Sequence, residues 1–242
     1  MKVVVIGGSG LIGSQVVGML SEQGHEVVAA SPSTGVDTIT GEGVAAALAG
    51  AQVVVDVSNT PDFAAAQEFF TTSTATLLKA EAEAGVGHHV VLSIVGADRV
   101  PDSGYMLAKV AQEEAATAGA AGFSIVRATQ FFEFAAGIAA MSQQGDTVHL
   151  PTASVQPIAS AEVARILAEV AVGEPRNTRL DVAGPQRFGL AEFIRLAMPQ
   201  ADVVADEKAL YAGAKVEQDS LVPLGEATIS PITLAAWQEA QR

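Results

Sequence analysis

Val3-Val4-Val5-Ile6-Gly7-Gly8-Ser9-Gly10-Leu11-Ile12-Gly13 is the stretch whose reading decides the fold. Lys2–Ile6 is a short, β-branched, apolar run, the pattern of a strand buried on both faces. Gly7, Gly10 and Gly13 follow it and lead into Leu11–Gln23, where Leu11, Ile12, Val16, Val17 and Leu20 fall on one helical face. Each glycine has a separate task. Gly7 permits the tight turn, Gly10 lets a pyrophosphate approach the backbone, and Gly13 lets the helix pack closely on the strand. The helix start offers unpaired N–H groups and the positive end of a dipole to that anion. Ser9 adds a hydroxyl donor. Gly7, Ser9, Gly10, Leu11, Ile12 and Gly13 therefore read as a dinucleotide cradle. An ordinary glycine-rich strand–helix turn has the same spacing, and the position directly after the first strand is what gives this one weight.

Outward from this turn the chain alternates. Strands are expected at His25–Ser31, Gln52–Val57, His88–Ser93 and Phe123–Arg127, with helices at Glu42–Ala49, Asp62–Ala84 and Tyr105–Ala118. Such alternation predicts a doubly wound parallel sheet of the Rossmann type, with ligands beyond the carboxyl ends of the strands. Past residue 130 the pattern loosens into helices near 160–171 and 189–198 and short strands near 147–150, 155–158 and 178–182. One dinucleotide-binding domain over 1–242 is expected, with roughly 130–242 supplying a small substrate-side lobe.

Composition narrows the function. The net charge of −14, from 13 basic and 27 acidic residues, disfavours a nucleic-acid partner. No cysteine is present, so thiolate chemistry and Cys-based metal sites are excluded; a reducing cytoplasm is the expected location. The N-terminal apolar run is too short for a signal peptide or a membrane span. No His/Asp/Glu set has convincing metal spacing, and His88, His89 and His149 read as structural.

The cofactor loop after strand two reads Ser31-Pro32-Ser33-Thr34, with no carboxylate before Asp37. An acidic residue there would bind a ribose 2′-hydroxyl and repel a 2′-phosphate. Hydroxyls at Ser31, Ser33 and Thr34 lean the reading to NADP over NAD, although no Arg or Lys accompanies them. Asn59, after strand three, is placed to touch the ribose or adenine, or is a plain turn residue.

Strand four ends at Ser93, and Tyr105-Met106-Leu107-Ala108-Lys109 follows. Tyr and Lys four apart share a helix face. A phenol so placed is a proton donor to a carbonyl oxygen, a nearby ammonium lowers its pKa, and Ser93 would steady the developing charge. The bland alternative is a half-buried tyrosine with a lysine that binds only ribose. Tyr211-Ala212-Gly213-Ala214-Lys215 repeats the spacing with no buried strand ahead of it, only Pro199 twelve positions before, and reads as a decoy. Val95, Gln130 and Phe131 are expected to line a pocket for an apolar or aromatic small molecule. Met106 can face the same space, while Phe132 and Phe134 read rather as core.

Ser93, Tyr105 and Lys109, with the glycine turn, resemble the short-chain dehydrogenase/reductase superfamily. The chain is most similar to its atypical, NmrA-like branch in Val91–Gly96, Arg127–Phe132 and Val182–Pro185, and the similarity covers nearly its whole length. The resemblance implies an NADP-dependent oxidoreductase that moves a hydride between nicotinamide C4 and a carbonyl or alcohol. It also implies that Lys109 binds the nicotinamide ribose. A relay asparagine found in that superfamily is replaced here by Thr76. Two alternatives stand: a non-catalytic NADP(H) sensor, and a reductase for a quinone, alkene or imine.

Overall fold

The chain is described over all of residues 1–242 by a computed structural model. Its strands are β1 (Lys2–Ile6), β2 (Glu26–Ala30), β3 (Val53–Asp56), β4 (His88–Ile94), β5 (Gly122–Ala128), β6 (Gln143–Gln144), β7 (Thr147–Leu150), β8 (Ser154–Val155), β9 (Arg179–Ala183), β10 (Phe188–Gly189), β11 (Asp202–Ala205) and β12 (Thr228–Ile229). Its α-helices are α1 (Leu11–Glu22), α2 (Val44–Leu48), α3 (Ala66–Ala84), α4 (Gly104–Ala118), α5 (Ala135–Met141), α6 (Ser160–Val172), α7 (Leu190–Ala197) and α8 (Leu234–Ala240). No helix is long and apolar enough to cross a membrane.

Seven strands form one parallel sheet in the order β12-β9-β5-β4-β3-β1-β2. This is the Rossmann-type sheet expected from the alternation. Strand alternation splits its side chains between two helical layers. Val3, Val5, Val55, Val90 and Val126 face α1 and α6, whereas Val4, Ile6 and Val54 face α2 and α3 with Leu48 and Leu77. Because both faces are covered, β1 and β3 carry no polar alternation, which is why Val3–Val5 are all fully buried. The chain order reverses across β1, whose neighbours are β2 and β3. Strands leave a crevice at such a switch point, at their carboxyl ends.

The C-terminal part is divided rather than a continuous lobe. Helix α6 packs on α1, and β9 and β12 extend the main sheet. A separate lobe is formed by α5, α7 and the three-stranded sheet β11-β7-β6. Its own core contains Phe132, Leu150, Leu190, Phe193 and Ile194. Helix α3 begins at Ala66, because Asp62 accepts the N–H groups of Ala64 and Ala65 in a turn ahead of it.

Candidate active site

The glycine turn is built as its sequence demands. Gly7 has φ +78°, a left-handed conformation that favours glycine. A Cβ on Gly13 would lie 2.1 Å from the Gly7 carbonyl oxygen, so the helix can rest on the turn only without a side chain there. The N-terminus of α1 carries no side-chain cap, leaving its first N–H groups to the crevice. Gly8 has a packing role the sequence did not disclose: a Cβ there would meet Ala29 Cα and the Val5 oxygen at 2.8 Å.

A single cleft of about 1140 Å³ runs from this turn past the ends of β3, β4 and β5 to the lobe. That exceeds the ~300–1,000 Å³ usual for one small ligand, so a dinucleotide and a second molecule both have room. Gly7, Ser9, Gly10, Leu11, Ile12, Gly13, Ser31, Asn59, Ser93, Tyr105, Lys109, Gln130 and Phe131 all border it. Ser33, Thr34 and Val95 do not. Ser33 is exposed, and Val95 is fully buried with its N–H on the Ala128 carbonyl.

Near the end of β2 the loop hydroxyls that suggested NADP have partners of their own. The Ser31 oxygen accepts from the Ser9 hydroxyl at 2.9 Å and from the Ser9 N–H at 3.2 Å. Thr34 Oγ1 accepts the Ser31 N–H at 2.9 Å, closing a turn. Thr34 also donates within that turn, either to the Ala29 or to the Ser31 carbonyl. These hydroxyls are spent on local structure. The cleft's one basic side chain is Lys109, so a 2′-phosphate would meet no cation at this end. Instead Asp37 borders the cleft, with Oδ1 accepting the Ile39 N–H at 2.7 Å.

At the other end the Tyr105 hydroxyl donates to Asn59 Oδ1 at 2.8 Å. Burial pushes the phenol up to about 12, the bond to Asn59 pulling the other way. It is therefore protonated at neutral pH. Tyr105 also packs on Phe63 and Phe70, at 4.9 and 6.0 Å between ring centroids. Lys109 has partners of its own. The ammonium is buried, donating to the Leu92 carbonyl at 2.7 Å and to Gln112 Oε1, and it lies 4.4 Å from the Phe70 centroid. Burial pushes its pKa down to about 8 against the opposing pull of Asp56 and Glu113. Gln112 in turn donates to Asp56 Oδ2 at 2.9 Å.

Ser93 is engaged in the same way. Its hydroxyl donates to Glu113 Oε1 at 2.6 Å, beneath the cleft. Arg127 binds the same carboxylate twice, at 2.8 and 2.7 Å, and Arg179 once, at 2.7 Å. Burial works against the ionised Glu113, but the bonds from Arg127, Ser93 and Arg179 outweigh it and hold the carboxyl below its ordinary range. This is a structural knot tying β4, β5 and β9 to α4. Thr76 lies outside the cleft, its methyl carbon 3.8 Å from where a Gly41 Cβ would be. Asp37, named from the sequence only as the first carboxylate of its loop, also lines this cleft. Tyr211, read as a decoy, borders the cleft with Ala212 and Gly213. Phe134 stands half-exposed at the mouth and stacks on Phe131 at 5.1 Å, while Phe132 is core.

Known proteins place this geometry in context. No family model matches the chain, and no curated protein matches it. Solved structures do. The fold is similar to that of MoeE5 in complex with UDP-glucose and NAD, at 19% identity over 88% of this chain and 87% of that one, TM-score 0.69. It is similar to UDP-glucose 4-epimerase from Thermus thermophilus in complex with NAD, at 18% identity over 100% and 94%, TM-score 0.69. A dTDP-4-dehydrorhamnose reductase from Clostridium acetobutylicum matches at 15% identity over 92% and 90%, TM-score 0.71. The class this defines is a Rossmann-type α/β fold; the likeness is one of fold.

Proposed function

We propose that the chain is an NAD-dependent oxidoreductase of the short-chain dehydrogenase/reductase type, acting on the carbonyl or alcohol of a small, largely apolar molecule. The observation that carries this reading is the continuity of one cleft from the uncapped start of α1 to the Tyr105–Asn59 pair. The fold neighbours whose descriptions include NAD support the choice of dinucleotide, as does Asp37 at the adenine end. The narrower NmrA-like resemblance rests on the sequence motifs.

In this reading the α1 N–H groups hold the pyrophosphate and Asp37 accepts from a ribose hydroxyl. Lys109 spends two of its three N–H donors on Leu92 and Gln112, and the third serves a ribose hydroxyl. When bound, the nicotinamide supplies or accepts the hydride at the substrate carbon. Tyr105 gives its proton to the carbonyl oxygen as charge builds there, and takes it back in the reverse direction. Asn59 fixes the direction of the phenol O–H. Ser93 acts here as a positioning residue, its hydroxyl donating to the buried Glu113 carboxylate.

Tyr105→Phe tests the reading. NAD affinity should stay within about twofold of wild type while ketone turnover with NADH falls by roughly a hundredfold or more, the scale of losing a general acid. Full turnover in Tyr105→Phe would sink the assignment. The engagement of Tyr105 by Asn59 and of Lys109 by Gln112 favours a second reading, a non-catalytic dinucleotide sensor. Tight NADH binding by wild-type protein without turnover on any carbonyl or quinone would select it.

A further inference from the structure

We propose that the Gln130 carboxamide and the Tyr211 hydroxyl form a second polar contact for the substrate. The accepted molecule is then an uncharged ring compound with a hydroxyl or carbonyl besides the group that meets Tyr105. This rests on the oxidoreductase reading of the cleft and adds the substrate's chemical class to it.

Gln130 lies two residues past the end of β5 and is 7% exposed on the cleft wall. Neither its Nε2 nor its Oε1 has a hydrogen-bond partner. A buried carboxamide with donor and acceptor both unmade is costly, and such groups persist where a ligand completes them. Tyr211 approaches from the opposite lobe, on a turn closed by Tyr211 N–H to Ala214 O at 2.8 Å and the reciprocal bond at 3.0 Å. Burial pushes its phenol up to about 12, and it lines the same cleft as Gln130, with no hydrogen bond joining the two side chains. Tyr105, Gln130 and Tyr211 all border this one cleft.

The surroundings set the rest of the class. Phe131 and Phe134, with ring planes 33° apart, present an aromatic wall beside Ile138 and Met141. A carboxamide and a phenol pair with a hydroxyl or carbonyl, but they bring no charge to a carboxylate or phosphate. The cleft's one cation, Lys109, is already engaged, and Asp102 also borders the cleft. A nucleotide sugar, present in the MoeE5 structure, would thus bring its diphosphate to a wall without a free counter-ion.

The test uses full-length protein saturated with oxidised NAD, so that no ketone is consumed. Calorimetric titrations compare acetophenone, its 2-, 3- and 4-hydroxy forms, and UDP-glucose. We expect at least one hydroxylated form to bind about tenfold tighter than acetophenone, a difference of ~1.4 kcal/mol. Gln130→Leu and Tyr211→Phe should each cut that preference by about fivefold or more and leave acetophenone and NAD affinity within about twofold. UDP-glucose should bind more weakly than the preferred ketone. The proposal is overturned if no ring ketone binds, if hydroxylation brings no gain, if the preference survives in both variants, or if UDP-glucose binds tightest. If NAD fails to bind, the same titrations run on the protein alone. A hydroxyl preference lost in the variants then upholds the polar contact while the oxidoreductase reading fails.

Discussion

Replacing Ser93 by alanine separates a structural serine from a catalytic one. The hydroxyl donates at 2.6 Å to a fully buried carboxylate. A hydrogen bond to a charged group contributes about 1.5–3 kcal/mol. Glu113 keeps three bonds from Arg127 and Arg179 in the variant, so the loss should fall at the low end, about 1.5–2 kcal/mol. For a chain of this length about 1 kcal/mol corresponds to ~2–4 °C, so Ser93→Ala should melt roughly 3–8 °C lower. Glu113→Gln should cost more, about 3–5 kcal/mol, because it strands two arginines around a neutral amide. The two changes should be non-additive by about 0.5 kcal/mol or more, since they share one bond. Thermal melts of both single variants and the double variant measure this, with NADH-dependent ketone turnover recorded on the folded fraction. A Ser93→Ala protein that melts like wild type but has lost about a hundredfold in turnover would refute the reasoning and return Ser93 to the reaction.

Other outcomes follow from the same geometry. Gly13→Ala forces a Cβ to 2.1 Å from the Gly7 oxygen and should lower both melting temperature and NAD affinity. Gly18→Ala, with no atom within 4 Å, should instead stabilise α1 by up to about 1 kcal/mol, and equal effects of the two would contradict the packing argument. Asp37→Asn keeps an acceptor for the Ile39 N–H and removes the charge; the NAD-over-NADP preference should shrink by about tenfold, and an unchanged ratio would show that Asp37 does not select the cofactor. Lys109 has a folded pKa of about 8 against the usual 10.5, so the unfolded chain holds its proton more tightly between those values. Stability from this group therefore rises as pH climbs from about 8 toward 10.5, by about 3 kcal/mol in all. Lys109→Met should flatten that rise in urea melts, and parallel profiles for variant and wild type would disprove the buried, strained ammonium.

Local patterns carried much of this architecture, and long-range convergence carried the rest. The glycine turn, the five leading strands and α6 were readable because hydrophobic periodicity and turn chemistry act within a few residues. Strand β12 was not readable, since two residues form it and pairing with β9 alone defines it. The partners of Lys109 were hidden from the sequence for a spatial reason. Helical spacing puts it on the face of Tyr105, but Leu92, Gln112 and Phe70 arrive from β4, the next turn of α4, and α3 to claim the ammonium.

Ser93 and Tyr211 show two kinds of placement that local reading leaves open. In β4, Val90 and Leu92 face the α1–α6 layer, so alternation sends Ser93 to the opposite side. There Arg127, its register partner on β5, and Glu113, four residues beyond Lys109, were already waiting. Those phases were available in the sequence, but the bond from Arg179 to Glu113 spans 66 residues and no local pattern predicts it. Tyr211 is the other kind. Nothing before it resembles a strand end, and by spacing alone it has no claim on the cleft. It reaches the cleft because α5, α7 and the β11-β7-β6 sheet form a second core that brings residues 211–213 across from β5. A side chain's access to a site is thus decided by which core its backbone hangs from. Tyr211, which shares the cleft with the orphaned Gln130, comes from the part of the chain with the weakest periodicity.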